Sequence, residues 1–181
     1  MPPGSLSGPS GAPPDPARAT AALGDGERRR VSLLVFRVGP ASYAIAADDV
    51  IEVVRMVAAT PAPDAPAWSS GLINVRGRVV PLIDARTRLG LARMEPDIST
   101  PIVLLQLGEQ AAGLVVDQVV DVINVPQDEL MRPDLAPNTT STGLLTEVAD
   151  LNGRLILVLD KDQLCEASEL SAVAAAWQAR P

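Results

Sequence analysis

The chain has no histidine and a single cysteine, Cys165. Without histidine it lacks the commonest general base, the commonest metal ligand and the usual phosphoacceptor of a two-component kinase. One cysteine cannot close an internal disulfide or build a zinc site, so Cys165 reads as a small buried apolar group. Aromatic residues make up 2% of the 181 residues, too few for platforms that stack bases or sugars. No apolar run reaches the roughly 20 residues that span a bilayer, and the N-terminus lacks the charged start and apolar stretch of a signal peptide. The expectation is a cytoplasmic chain. Positive charge is scarce as well. A net charge of −7 and a pI near 4.5 argue against nucleic acid or an anionic membrane as a partner. The one basic cluster, Arg28-Arg29-Arg30, reads as the solvated edge of a tail.

What the chain does have is aliphatic content and internal repetition. Hydrophobic residues reach 47%, so the core must be built from Val, Ile, Leu and Ala. Leu33 to Gly39 is echoed by Ile102 to Gly108, and Ala44 to Val53 by Gly113 to Val122 at the same spacing. A third block, Gly77 to Asp84, is echoed by Gly153 to Asp160. Only the first copy shows the text Asn74-Val75-Arg76-Gly77. Shared blocks set the fold of each half, so the place where the copies differ points to function.

Residues 1–30 are rich in Pro, Gly, Ser and Ala. Such a segment buries too little apolar surface to offset its ordering entropy, so it is expected to be disordered and dispensable for folding. Strands are expected at Val31–Val38, Ser42–Ala46, Val50–Val57 and Arg78–Ile83. In the second half they are expected at Ile102–Leu107, Ala112–Val116, Val119–Val125, Gly143–Val148 and Arg154–Leu159. Thr60–Pro66 holds three prolines and reads as a loop. Asp84 is placed to cap a helical turn that stops near Gly90, and Asp160 to cap one helix running through Leu164 and Leu170 towards Trp177. Asp150 to Gly153 is a hairpin turn. Short, closely spaced strands in two similar sets predict a mainly β fold of two small antiparallel barrels, about 31–100 and 101–166.

Glu52 and Arg76 stand out among the polar residues. Glu52 interrupts an apolar run, and Asp121 recurs at its place in the second copy. Two exposed strand charges are the plain reading; an ion pair fixing a partner-binding face is the functional one. Gly71 and Gly77 bracket the Arg76 segment and suit tight turns or a surface that another protein approaches closely. Asp48, Asp49, Asp84, Asp117 and Asp160 could be paired carboxylates for acid/base work or metal binding, but most are better explained as turn and cap residues. There is no calcium loop, phosphate loop, dinucleotide fingerprint, Gly-x-Ser-x-Gly or His-Glu-x-x-His.

The stretch from Pro63 through Trp68, Gly71-Leu72-Ile73-Asn74-Val75-Arg76-Gly77-Arg78 and Val79-Val80-Pro81-Leu82-Ile83-Asp84 to Arg86 resembles the signature of the CheW family. These are bacterial chemotaxis coupling proteins. Ala112 to Val122 and Gly153 to Asp160 resemble that family's second motif and closing strand, so the likeness covers about residues 31–166. The resemblance implies two tandem five-stranded SH3-like barrels sharing an apolar core, with short helices and a C-terminal helix over residues that end in the 167–181 tail. It implies a non-enzymatic adaptor or scaffold, without cofactor or metal, in chemosensory signal transduction. Its partners would be the chemoreceptor cytoplasmic tip (of methyl-accepting chemotaxis proteins) and the regulatory domain of a CheA-type histidine kinase, in membrane-associated receptor arrays without direct membrane insertion. Receptor-binding positions carry over to Glu52, Arg76, Val50, Gly71, Asn74 and Gly77, and Gly113 matches the second motif's glycine. No kinase-facing residue carries over. The same resemblance allows a pathway whose output is not motility.

Two rival classes remain on the residues alone. One is a small hydrolase using paired carboxylates such as Glu52 and Asp84, against which both acids have structural roles and no poised base is visible. The other is a nucleic-acid-binding barrel, opposed by the acidic charge and the scarcity of aromatics.

Overall fold

The computed structural model describes residues 29–62, 64–132, 143–151, 153–165 and 167–178. The expected disorder and dispensability of the tail concern residues that lie almost wholly outside these. Ten strands are described: β1 (Arg30–Val38), β2 (Ala41–Ala46), β3 (Val50–Arg55), β4 (Ser69–Val75) and β5 (Arg78–Asp84), then β6 (Pro101–Leu107), β7 (Gln110–Val115), β8 (Gln118–Pro126), β9 (Leu145–Leu151) and β10 (Arg154–Leu159). They form two five-stranded sheets with few, short helices, the architecture of paired SH3-like barrels. Sheet A runs β8-β1-β2-β10-β9 and sheet B runs β3-β6-β7-β5-β4.

The duplication extends to register. The β1–β2 pairing, Leu33↔Ala46 to Val38↔Ala41, is matched by β6–β7, Ile102↔Val115 to Leu107↔Gln110. Each sheet has one parallel pair, Val158↔Ala44 in sheet A and Leu82↔Gly113 in sheet B, so the barrels are not purely antiparallel. Bulges at Ile51 and Ser70 recur at Val120 and Thr146. The bridge Thr60↔Leu72 recurs as Met131↔Val148.

The halves are not, however, separate barrels split near residue 100. Sheet B is the continuous stretch from β3 to β7, and sheet A joins β1 and β2 to β8, β9 and β10. One barrel is thus inserted in the other. Local turn chemistry explains the crossing. The hairpins β1–β2, β6–β7, β4–β5 and β9–β10 all turn at residues of positive φ, with Gly39, Gly108, Gly77 and Gly153 among them. A tight hairpin needs such residues. The links after β2 (a 3-10 turn, Ala47–Asp49) and after β7 (Val116-Asp117) contain none, and there the chain passes to the other sheet.

Strand alternation then sorts the core. Leu33 and Val35 point with Ala44, Ile156 and Val158 into sheet A. Ile102 and Leu104 point with Ile73, Val80 and Leu82 into sheet B. The opposite faces, Leu34, Phe36 and Val38 on β1 and Val103, Leu105 and Leu107 on β6, meet in a layer shared by both barrels. Both faces of β1 and β6 are buried, which is why they read as unbroken apolar runs.

Three expectations need correction. Strand β4 was not anticipated, because glycine at position 71 and the prolines before it obscure the pattern. Arg30 belongs to β1 and donates from Nη2 to the Asn124 carbonyl at 2.8 Å, rather than trailing in a tail. The closing helix is two pieces, α2 (Lys161–Leu164) and α3 (Ala167–Gln178), because Cys165 takes an extended conformation, φ −162. Cys165 is buried in the shared layer with Leu164, Leu170 and Val173, so these short helices do cover apolar sheet. Asp84 caps α1 (Ala85–Arg88) through the Thr87 amide, and Asp160 caps α2 through the Asp162 amide.

Candidate functional site

The turn from β4 to β5 is a two-residue hairpin. Val75 and Arg78 pair across it, and both central residues, Arg76 (φ 51) and Gly77 (φ 83), are left-handed. Asn and Gly ordinarily fill such turns. An arginine here costs about 1 kcal/mol of backbone strain, a cost that clusters at functional positions. Asn74 stabilises the turn: its Oδ1 accepts the Gly77 amide at 2.8 Å. In the second half Leu151 and Arg154 likewise pair across a hairpin, with Asp150 Oδ1 accepting the Gly153 amide at 2.7 Å. The Arg76 segment therefore has a counterpart, contrary to its isolated appearance in the sequence. The matching position is Asn152, outside the described residues.

Arg76 Nη2 meets Glu52 Oε2 at 2.9 Å. The strands that carry them are not neighbours, since β3 and β4 lie at opposite ends of sheet B. The contact is a single hydrogen bond rather than a fork. Arg76 is 81% exposed and Glu52 27%, so the pair lies at the surface and adds about 0–1 kcal/mol of stability. It spans a cleft of about 360 Å³ lined also by Ile51, Val75, Arg78, Val80 and Leu104. Val80 and Leu104 belong to the core of sheet B, so the ion pair guards an opening onto an apolar interior.

The other expected residues divide into supports and bystanders. Asn74 and Gly77 build the turn that presents Arg76. Val50 packs against the shared layer instead of lining the cleft. Gly71 is buried at φ 97, where a Cβ would come within 2.5 Å of the Thr60 carbonyl oxygen. Its close approach is to its own chain, not to a partner. Gly113 is likewise a packing glycine, with a virtual Cβ 2.6 Å from Leu82 Cδ2. Ile51, Val75, Arg78 and Leu104 were missed as cleft residues. Exposed Ile51 sits at the β3 bulge, one residue before Glu52, and that adjacency was the available signal.

Sheet A carries a related opening. Asp121, Val120, Leu151, Arg154, Ile156 and Val35 line a cleft of about 150 Å³ and take the places of Glu52, Ile51, Val75, Arg78, Val80 and Leu104. Among the described residues Asp121 makes no ion pair as Glu52 does. Its Oδ1 accepts the amide of Val122 on its own strand at 2.8 Å.

Two further ion pairs secure the crossings between barrels. Asp117 accepts from Arg86 Nε at 2.7 Å and Nη2 at 2.8 Å, and from the Gly39 amide at 2.7 Å. The bonds from Arg86 hold the Asp117 carboxyl below the ordinary aspartate range, with smaller help from Gly39. At the other crossing Lys161 meets Asp49 at 2.6 Å, and that bond raises the ammonium's pKa. Sequence reading assigned Asp49 and Asp117 to turns and missed both pairs.

For the hydrolase alternative, Glu52 and Asp84 line different clefts, and Asp84 is committed to its helix cap and to Arg93 at 3.3 Å. Among the described residues no three His, Cys, Asp or Glu side chains group as metal ligands would, and no helix is long and apolar enough to cross a membrane.

Comparison with known proteins identifies the family and the fold. The family model for the CheW-like domain matches residues 32–169. A chemotaxis protein CheW of Rhizobium meliloti is 33% identical over 141 residues, covering 77% of this chain and 90% of the relative. The protein FrzA of Myxococcus xanthus is 31% identical over 162 residues, covering 88% and 98%. The crystal structure of the scaffolding protein TtCheW from Thermoanaerobacter tengcongensis superposes with a TM-score of 0.70 at 28% identity, over 77% of this chain and 94% of that one.

Proposed function

The chain belongs to the CheW-like domain family, and on that premise we propose that it couples chemoreceptors to a CheA-type histidine kinase as a scaffold that performs no chemistry of its own. Chemotaxis coupling is the role that its relatives' names and the scaffolding structure support. The receptor's helical tip seats at the sheet B opening, in arrays at the membrane. The observation that carries this is the Arg76–Glu52 pair, held over an apolar cleft by a strained turn although it adds little stability. Exposed Ile51 and half-buried Val75 supply apolar contact beside the charges. Helix-in-groove docking of this kind uses an apolar stripe flanked by polar pairs.

Arg76→Glu tests the reading, because it sets two acids side by side across the cleft. Receptor-fragment binding should fall sharply while kinase binding and melting stay near wild type. Loss of kinase binding alone would move the receptor site elsewhere, and unfolding would make the pair structural.

A further inference from the structure

The sheet B opening holds one more cation than its ion pair accounts for. Its walls carry two guanidiniums, Arg76 and Arg78, against one carboxylate, Glu52. Glu52 is taken by Arg76. Among the described residues Arg78 makes no ion pair and no side-chain hydrogen bond. In a chain of net charge −7, this cleft therefore keeps an excess of positive charge.

Strand alternation puts Arg78 on the face of β5 that also bears Val80 and Leu82. Val80 and Leu82 are buried in the sheet B core, whereas Arg78 is exposed. The guanidinium thus stands at the outer end of an apolar row, beside Val80, Leu104 and half-buried Ala111 in the cleft. On the other wall β3 contributes Ile51 and Glu52. Charge is distributed unevenly across the opening. The acid of the β3 wall is already answered by Arg76, and the cation of the β5 wall is not.

We infer that Arg78 selects the occupant of this opening: a helical segment with a carboxylate one turn from an aliphatic side chain. The carboxylate meets Arg78 while the aliphatic group covers Val80 and Leu104. The inference rests on the receptor-docking reading, and it adds the charge pattern of the docked segment and the direction in which that helix lies. Side chains three or four positions apart share one helix face about 5–6 Å from each other, which suits a cation at the edge of an apolar floor. A guanidinium can hold a carboxylate in two bonds, and the contact strengthens once docking excludes water. A helix laid the other way brings its carboxylate to Glu52, which repels it. The two walls therefore attract one orientation and reject its reverse.

The test uses the full chain, a purified receptor cytoplasmic fragment and a purified CheA-type kinase, titrated at low and at raised sodium chloride. Arg78→Gln removes the charge and leaves Glu52 to Arg76. It should lower receptor-fragment affinity about three- to tenfold at low salt, flatten the salt dependence, and leave kinase affinity unchanged. Arg78→Lys should keep most of the affinity. Arg154→Gln makes the same charge change at the equivalent place in sheet A and should bind the receptor fragment as wild type does. Arg78→Glu should bind worst. Replacing the acidic residues of the receptor fragment's tip by lysine, one at a time, should restore its binding at a single position. Unchanged receptor affinity in Arg78→Gln overturns the inference. An equal loss in Arg154→Gln overturns it too, because the effect is then one of net charge. Absence of any restoring lysine removes the carboxylate as the partner of Arg78. Should the Arg78 variants melt early, the lysine series still decides, since a change in the receptor cannot repair a folding defect. If Arg76→Glu also binds the receptor fragment normally, the docking site itself is misplaced. If Arg76→Glu fails while Arg78→Gln binds normally, the docking reading stands and selection by Arg78 falls.

Discussion

The two barrel ends begin from the same plan and arrive at different chemistry. Each has an acid in its strand with a bulge just before it, and a hairpin stabilised by an Asn or Asp side chain on a glycine amide. At the sheet B end Glu52 faces Arg76 across the opening; at the sheet A end Asp121 bonds its own backbone. Backbone register is common to both ends, so the difference resides in a few side chains. A duplicated fold can therefore present two different surfaces on one backbone plan.

The largest effect should come from the crossing that joins the two barrels. Asp117→Asn removes a charge that accepts three hydrogen bonds and should cost about 2–3 kcal/mol in urea unfolding. The sign with pH follows from the lowered pKa. Asp117 contributes its full stabilisation above the ordinary aspartate value of 3.8, and loses it as pH falls from there through the lower folded value. The variant should show a shallower acid limb than wild type over that window.

Next comes a matched pair of positions. Gly113 in sheet B stands where sheet A has Ala44, which is fully buried. A Cβ at Gly113 would lie 2.7 Å from Ile102 Cγ2 as well as 2.6 Å from Leu82. Gly113→Ala should therefore destabilise by about 1–3 kcal/mol through overpacking. Ala44→Gly should cost no more than about 1 kcal/mol beyond the lost methyl contact. Equal costs in chemical denaturation would mean that the two cores tolerate volume alike, and the comparison would lose its packing half.

The smallest effect on stability should come from Arg76→Asn, which gives the sheet B turn the residue type found at position 152. Relief of about 1 kcal/mol of left-handed strain offsets a surface pair of about 0–1 kcal/mol, so stability should stay within about 0.5 kcal/mol of wild type. Receptor binding should nonetheless fall. A variant that binds normally would assign the strained arginine to folding alone.

Much of the fold was legible because the repeat is local. The three echoed blocks locate β1 to β3 and β5 with their partners, and the acids Glu52 and Asp121 were visible as polar breaks in apolar runs. The exchange of β3 and β8 between sheets was not, because it depends on what Ala47–Asp49 and Val116-Asp117 lack: a residue able to turn left-handed. The Asp117–Arg86 and Asp49–Lys161 pairs were hidden by chain separation, and a turn is the commoner fate of an aspartate there. The cleft around Arg76 was half legible. Its charges stood out, while Val75, Val80 and Leu104 looked like any other strand residues.

The inserted topology also sets a timetable for biosynthesis. The β1–β2 hairpin leaves the ribosome first, yet its lateral partners in sheet A are β8 and β10, and roughly 70 residues separate it from the nearer one. At translation rates of about 5–20 residues per second the hairpin waits roughly 4–14 s with apolar side chains on both faces. Sheet B, continuous in sequence, emerges complete during that interval and offers β6 as the surface on which the waiting face of β1 can settle. The inner barrel would then act as an intramolecular chaperone for the outer one, shielding an aggregation-prone hairpin until the last three strands arrive.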